Sequence, residues 1–340
     1  MTLLIETVTK CGCEFIGYSK LDNLPLFKIV KRVNISEMQK FEFEFVNTLE
    51  GDSNIIKVKK TNNKYIYMKL IKPSYEILTE FNKESLLKDI EQAARTCYKS
   101  EDLIGSMIKC PRCKGTGTVQ FQRTCADPEG TPALYDHECP RCKGAGELVS
   151  WEDLVQKLVD RNHEAMLEFG PSITVKFICD RGVSHEFVRH RLASFAQEST
   201  RYCNYGKDEH VQYIIPSWLD LEEGEYSVKN WDTLDPKIKN MSNVTNKKAY
   251  RWALHMLWSE RMYNYLVNPL DNKWSAQEAR SVLPNSLKTE INIKANLREW
   301  RHIFKMRVAS AAHPQMRELM RPLLDEFKAN IPIIFDDLTY

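Results

Sequence analysis

At 340 residues the chain is long enough to bury a substantial core and exceeds a typical single domain, so one main domain with appendages is expected. Its 48 basic and 46 acidic side chains leave a net charge of +2, which removes any global electrostatic drive toward nucleic acid or an anionic membrane; an anion site must be local. No run approaches the roughly eighteen apolar residues of a membrane span, and Met1-Thr2-Leu3-Leu4-Ile5-Glu6 lacks a signal peptide's basic flank and long apolar stretch. A cytoplasmic location without membrane contact is therefore expected, with thiols kept reduced, because ten cysteines are too sparse for a disulfide scaffold.

Residues 1–67 form an N-terminal extension whose role is not readable. Cys11-Gly12-Cys13 brings two thiolates with no histidine in the segment, too few for a metal site, and Phe41-Glu42-Phe43-Glu44-Phe45 alternates as a strand, with a second strand over Tyr65 to Leu70. An interaction module fits this pattern. The main domain then spans 68–340, interrupted by an insert at 109–147. Ser85 to Lys99 reads as an amphipathic helix on Leu86, Leu87, Ile90, Ala93, Ala94 and Cys97. After the insert, Ser150 and Asp153 form a capping-box-like pattern for a helix through Leu154, Leu158 and Met166.

Ile173, Val175, Phe177 and Cys179 alternate with Thr174, Lys176 and Ile178 as a half-buried strand. Further on, Asn246 to Val267 reads as a long helix and Leu287 to Lys294 as a strand with Thr289, Ile291 and Ile293 on one face. Leu297 to Val308 reads as a helix capped by Asn296, and a last helix begins near Pro314, with His313 in a cap position. Strands and long helices mix without a regular βαβ repeat or a glycine-rich dinucleotide fingerprint, so the fold class is α+β, a mixed sheet packed with long helices.

Within the insert, Cys110-Pro111-Arg112-Cys113-Lys114-Gly115-Thr116-Gly117 and Cys139-Pro140-Arg141-Cys142-Lys143-Gly144-Ala145-Gly146 are near copies. Each supplies two thiolates, and Cys110, Cys113, Cys139 and Cys142 together complete a closed, tetrahedral, structural zinc site. Cys125 and His137 lie between the two copies, but four better-spaced cysteines leave them no place. The copies resemble the CxxCxGxG knuckles of the DnaJ-type cysteine-rich zinc domain, although only two are present and nothing resembles a J-domain. The stretch 109–146 carries six basic and four acidic residues, a net of +2 that does not by itself argue for nucleic acid.

The densest chemistry lies in residues 189–202, where Arg189, His190, Arg191, Ser194, Ser199 and Arg201 fall within fourteen positions. Guanidinium groups stay charged at any working pH and present a planar fork of donors, which suits a phosphate or an anionic ring edge. The order Arg-His-Arg followed after seven positions by Ser-x-Arg-Tyr resembles the signature of the flavin-dependent thymidylate synthases. Supporting segments stand in the matching order: Ala93-Ala94-Arg95-Thr96-Cys97-Tyr98, His163-Glu164-Ala165-Met166-Leu167-Glu168, and Ala279-Arg280-Ser281-Val282-Leu283-Pro284.

That resemblance implies methylation of dUMP to dTMP, with methylenetetrahydrofolate as carbon donor and FAD reduced by NADPH as hydride source, in a homotetramer whose active sites lie between subunits. It implies flavin contacts at His163, Glu168, Arg189, His190, Arg191, Asn296, Arg298 and His302. Nucleotide contacts follow at Glu186, Arg189, Gln197, Glu198, Ser199, Thr200, Arg201, Arg280 and Arg307, with Arg189, Ser199 and Arg307 nearest the chemistry. Ala196-Gln197 replaces the family's Asn-Glu, and His302 a more usual asparagine. His313-x-Gln315 resembles a family His-x-Gln displaced by two residues. Cys203 reads as a packing residue rather than a nucleophile. Two alternatives stay open: a pyrimidine-nucleotide hydroxymethylase on the same scaffold, and a zinc-ribbon nucleic-acid binder with a degenerate enzyme domain.

Overall fold

The computed structural model describes residues 18–21, 24–27, 41–46, 55–60, 67–122, 134–206, 211–227, 244–268 and 272–340. Two units are distinguished: Met1–Lys69 with Tyr205–Val211 and Gly224–Lys273, and Leu70–Asn204 with Gln212–Glu223 and Trp274–Tyr340. The first contains an antiparallel pair, Tyr18–Leu21 with Leu24–Phe27, and a second, Phe41–Val46 with Ile55–Lys60. The strand expected over 41–45 is thus present. Its long helix runs Val244–Val267, two residues earlier than the sequence pattern suggests, and buries Ala253, Met256, Leu257 and Val267. Cys11, Cys13 and Cys125 lie outside the described residues.

The second unit is built on a four-stranded antiparallel sheet. In chain order its elements are strand β1 (Ser74–Ile77), helix α1 (Lys83–Tyr98), the short strands β2 (Met107–Lys109), β3 (Thr118–Gln122), β4 (Leu134–Glu138) and β5 (Glu147–Val149), and helix α2 (Ser150–Asp160). Strand β6 (Ile173–Asp180), helix α3 (Arg181–Phe187), strand β7 (Ser194–Gln197), helix α4 (Ala276–Ala279), strand β8 (Lys288–Ala295), and helices α5 (Leu297–Arg307) and α6 (Pro314–Asn330) follow. The sheet order is β7-β8-β6-β1. Strands β6 and β8 pair over their whole length, Ile173 opposite Ala295 and Asp180 opposite Lys288. Alternation does the work here: Ile173, Val175, Phe177 and Cys179 of β6 and Thr289, Ile291, Ile293 and Ala295 of β8 are all buried.

Helices α1, α2, α5 and α6 supply the rest of the core. Trp300, Phe304, Phe327 and Phe335 form an aromatic cluster with ring centroids 5.1 to 5.8 Å apart. The Trp300 indole donates to the Ile173 carbonyl at 3.0 Å, tying α5 to the start of β6. The cap on α5 is as expected, Asn296 accepting from the Glu299 backbone at 2.8 Å.

Three local expectations are corrected. Helix α2 starts at Ser150, which puts Val149, with no side-chain acceptor, at the cap; the Asp153 carboxylate meets Arg141 at 2.8 Å and Lys157 at 2.5 Å instead of the backbone. It also ends at Asp160; Asn162 turns the chain at φ 57°, and Glu164–Phe169 forms a separate 3-10 turn. In α1, Cys97 is exposed rather than buried, and the buried face is Leu86, Leu87, Ile90, Glu91 and Ala94. His313 does occupy the cap position of α6, but its side chain makes no cap bond.

Phe327 packs edge-on against Phe81, Phe304 and Phe335 and is fully buried. Phe327→Ala is expected to lower the unfolding free energy by about 3–5 kcal/mol, as large-to-small changes in aromatic cores do; urea denaturation measures it, and Phe327→Leu should cost less.

Candidate functional site

The β6–β8 ladder delivers the cationic residues in two groups. At the end of β6, Asp180 caps α3 by accepting from the Val183 backbone at 2.7 Å, and its other oxygen accepts from Gln315 at 2.7 Å. Helix α3 therefore starts at a fixed place, and its exit presents Glu186, Arg189, His190 and Arg191. Arg307, in the last turn of α5, reaches across to this exit. Its Nη1 donates to Glu186 Oε2 at 2.6 Å, its Nη2 to the Glu186 carbonyl at 2.8 Å, and its Nε to His190 Nε2 at 3.0 Å.

Because a guanidinium can only donate, His190 Nε2 must accept, which assigns the ring its neutral form with the proton on Nδ1. That Nδ1 faces the buried Glu299 carboxylate at 3.7 Å, and the His302 ring stands edge-on to His190 at 5.6 Å. Burial, followed by the charges of Arg307 and His302, lowers His190 from 6.5 to about 4. His190, Glu299 and His302 could approach one cation, but a metal on Nδ1 would require a proton on Nε2, opposed to the Arg307 donor. Glu299 was not foreseen as part of this cluster; its only signal in sequence is a carboxylate three residues before His302.

The second group lies beyond the other end of β7. Ser199, Thr200 and Arg201 form a turn in which Ser199 Oγ accepts from the Arg201 backbone at 3.3 Å, and the Arg280 guanidinium donates to the buried Thr200 hydroxyl at 3.2 Å. Arg201 is exposed, its guanidinium 5.5 Å from the Tyr202 ring centre. Within one chain, the hydrogen bonds of Arg280 fall on the Ser199–Arg201 turn and those of Arg307 on Glu186 and His190, on the two sides of β7 in the chain.

Between them, Gln197 donates its amide to Ser184 at 2.9 Å and Thr289 at 3.2 Å, stitching β7 to α3 and β8. Glu198 pairs with Lys288 at 3.2 Å. Both are expected on the nucleotide; in this chain the Gln197 amide nitrogen and one Glu198 oxygen also brace the strand.

The remaining residues expected on the flavin lie along one side of α5. Arg298 pairs with Glu168 of the 3-10 turn, and both are exposed. His163, just before that turn, lies 3.5 Å from the Tyr98 hydroxyl. Arg95 of the Ala-Arg segment is turned inward onto Glu91. Three exposed cations, Arg189, Arg191 and Arg298, and the exposed His302 remain at this end of the sheet; such a surface fits an anionic, ring-bearing ligand.

The four insert cysteines converge. Cys110, Cys113, Cys139 and Cys142 are buried and their sulfurs lie within 4.8 Å of one another, with Cys110–Cys139 at 3.9 Å and Cys113–Cys142 at 3.7 Å. Backbone amides of Gly117 and Gly146 donate to Cys113 and Cys142 at 3.3 Å each. These glycines are required: at φ 79° and 75°, a Cβ on Gly117 would lie 2.3 Å from the Gly144 carbonyl oxygen, and one on Gly146 2.6 Å from that of Gly115. Against the opposing effect of burial, amide donation from Gly117 and Gly115 draws the Cys113 thiol down to about 6.

The family of thymidylate synthase complementing proteins matches residues 78–333, three quarters of the chain. The chain belongs to this family. Among its relatives, the flavin-dependent thymidylate synthase of Corynebacterium efficiens is 28% identical over 186 residues, covering 54% of this chain and 68% of the relative. That of Corynebacterium diphtheriae is 30% identical over 196 residues, covering 54% and 67%, and that of Clostridium tetani 27% over 192 residues, covering 54% and 72%. The crystal structure of thymidylate synthase X from Helicobacter pylori with FAD and dUMP covers 78% of this chain and 98% of its own at 17% identity and a TM-score of 0.47.

His190 supplies a pH test of the family site. Its folded-state pKa lies below the ordinary value, so between about 6.5 and about 4 the unfolded chain takes up a proton that the folded chain refuses. Its contribution to stability is complete above that window and falls as pH drops through it. His190→Gln should flatten the slope of unfolding free energy against pH in this range, as read from urea titrations at a series of pH values.

Proposed function

We propose that this chain is a flavin-dependent thymidylate synthase that converts dUMP to dTMP, with methylenetetrahydrofolate as carbon donor and FAD, reduced by NADPH, as hydride source. The observation that carries the reading is the pairing of Arg307 with the Glu186–His190 exit and of Arg280 with the Ser199–Arg201 turn, on a chain whose family match spans both. Building a methyl group on the uracil ring needs a one-carbon unit and a reductant, and no amino-acid side chain provides hydride. Reduced flavin supplies it when bound.

The chain's own part is to bind and orient. Arg201, Arg280, Ser199 and Thr200 hold the nucleotide through a turn already fixed by Thr200 and Ser199. Arg307, held in direction by Glu186 and His190, and Arg189 beside them meet the same nucleotide from the other set. His163, Glu168, Arg189, His190, Arg191, Arg298 and His302 present the flavin surface, with Asn296 fixing the start of α5. His190 is neutral and accepts from Arg307, so it orients a cation without adding a charge. Gln197 and Glu198, which also brace the strand between, complete the nucleotide contacts.

Arg280 and Arg307 have no hydrogen-bond partner in common, and we infer that each active site takes one set from each of two copies, within a homotetramer. We place it in the cytoplasm. The main domain is 68–340, and its 109–147 insert is a zinc ribbon. A tetrahedral zinc with sulfur bonds of about 2.3 Å has sulfur–sulfur edges of about 3.8 Å, which the spacings of 3.7 and 3.9 Å match.

Incubated with dUMP, methylenetetrahydrofolate, NADPH and FAD, the purified chain should yield dTMP; a hydroxymethylated nucleotide, or no product from protein that binds no flavin, contradicts the reading. Arg201→Ala or Arg280→Ala should weaken dUMP binding by about 10- to 100-fold, the loss of one or two charge-assisted hydrogen bonds, with FAD affinity retained. Elemental analysis should find one zinc per chain, lost in Cys110→Ser.

A further inference from the structure

One buried cation has no part in the site as described. Arg301 is 1% exposed, yet its side chain is the most heavily bonded among the described residues of α5. Its Nη1 and Nη2 meet the two oxygens of Asp337 at 2.7 Å each, Nε donates to Glu164 Oε1 at 3.0 Å, and Nη1 also donates to the Ile334 carbonyl. Lys305, one turn along the same helix, joins Glu164 at 2.8 Å.

Three segments meet on this one guanidinium: α5, the 3-10 turn that begins at Glu164, and the C-terminal residues after α6. The turn carries Glu168 and follows His163, while α5 carries Arg298 and His302 on either side of Arg301. A second contact, Arg298 with Glu168, joins the same two elements at the surface, where solvent weakens it. The Lys305–Glu164 pair also starts from an exposed side chain, so of the ion pairs between turn and helix the one through Arg301 is the one with a buried cation.

Burying ions is costly, and well-packed apolar side chains of similar volume often serve stability equally well or better. What a planar fork adds is direction, since two carboxylates must lie in fixed places around it. We propose that Arg301 is a positioning residue for the flavin surface: with Glu164 and Asp337 it sets the distance between His163 and Glu168 on one side and Arg298 and His302 on the other. The proposal rests on those four residues meeting flavin, as proposed above.

Arg301→Lys keeps the charge but cannot engage both carboxylates in one plane. It should raise the FAD dissociation constant at least tenfold, at a temperature where circular dichroism shows the protein fully folded. The dUMP affinity of FAD-saturated protein, which draws on Arg201 and Arg280, should stay within twofold. A purely structural residue would lower the melting temperature and leave both affinities alone. Asp337→Asn, altering the half-exposed partner, serves if Arg301→Lys does not fold, with a smaller rise of about threefold expected. Folded variants that bind FAD like the parent overturn the proposal while the functional reading stands. A parent chain that binds no FAD overturns both.

Discussion

The antiparallel ladder between β6 and β8 is the constraint on which the rest of the second unit depends. It pairs residues more than a hundred positions apart, from Ile173 opposite Ala295 to Asp180 opposite Lys288. Its buried face is apolar but for Thr289, so a one-residue slip of either strand would turn that strand's buried side chains outward. At one end β6 feeds α3 through the Asp180 cap; at the other β8 feeds α5 through the Asn296 cap. Those two caps fix where Glu186 to Arg191 leave one helix and where Arg298 to Arg307 run along another. The meeting of Arg307 with Glu186 and His190 is a consequence of the register.

Most of this architecture was legible in the sequence because it rests on periodicity. The alternation over 173–179 and over Thr289, Ile291 and Ile293, the asparagine before α5 and the proline opening α6 each have one local physical meaning, and each led to the observed element. The paired Cys-x-x-Cys copies were equally readable, since two matched knuckles supply four thiolates and the structure brings their sulfurs together. What was not legible depends on partners distant in sequence. Asp153 lies where a capping box would use it, but Arg141 and Lys157 compete for its oxygens more strongly than a backbone amide does. Gln197 and Glu198 also have scaffold neighbours, Ser184, Thr289 and Lys288, that only the sheet brings beside them.

Charge burial follows the same logic in both halves of the site. Arg307 and Arg301 stand on α5 within two turns of each other, and each is held by a carboxylate from an element it must align: Glu186 at the exit of α3, Glu164 at the start of the 3-10 turn. Their surface neighbours Arg298, Arg191 and Arg189 are exposed and free of such burial. The inner cations thus locate the surrounding backbone, while Arg189 and Arg191, beyond α3, are exposed and Arg298 carries a surface pair with Glu168. His190 shares their orienting role without a charge, since burial keeps it neutral and its acceptor nitrogen takes the Arg307 donor.

The central claim of the account is that the Arg280 and Arg307 sets of one chain serve different active sites, each completed by another copy. Mixing two separately impaired variants, Arg280→Ala and Arg307→Ala, at a dUMP concentration where neither turns over appreciably and under conditions that allow subunit exchange tests it directly. Mixed assemblies contain some sites in which both arginines are intact, so dTMP formation should reappear on mixing. If the subunits exchange and the mixture stays as inactive as its parents, the two sets act within one chain and the account is wrong.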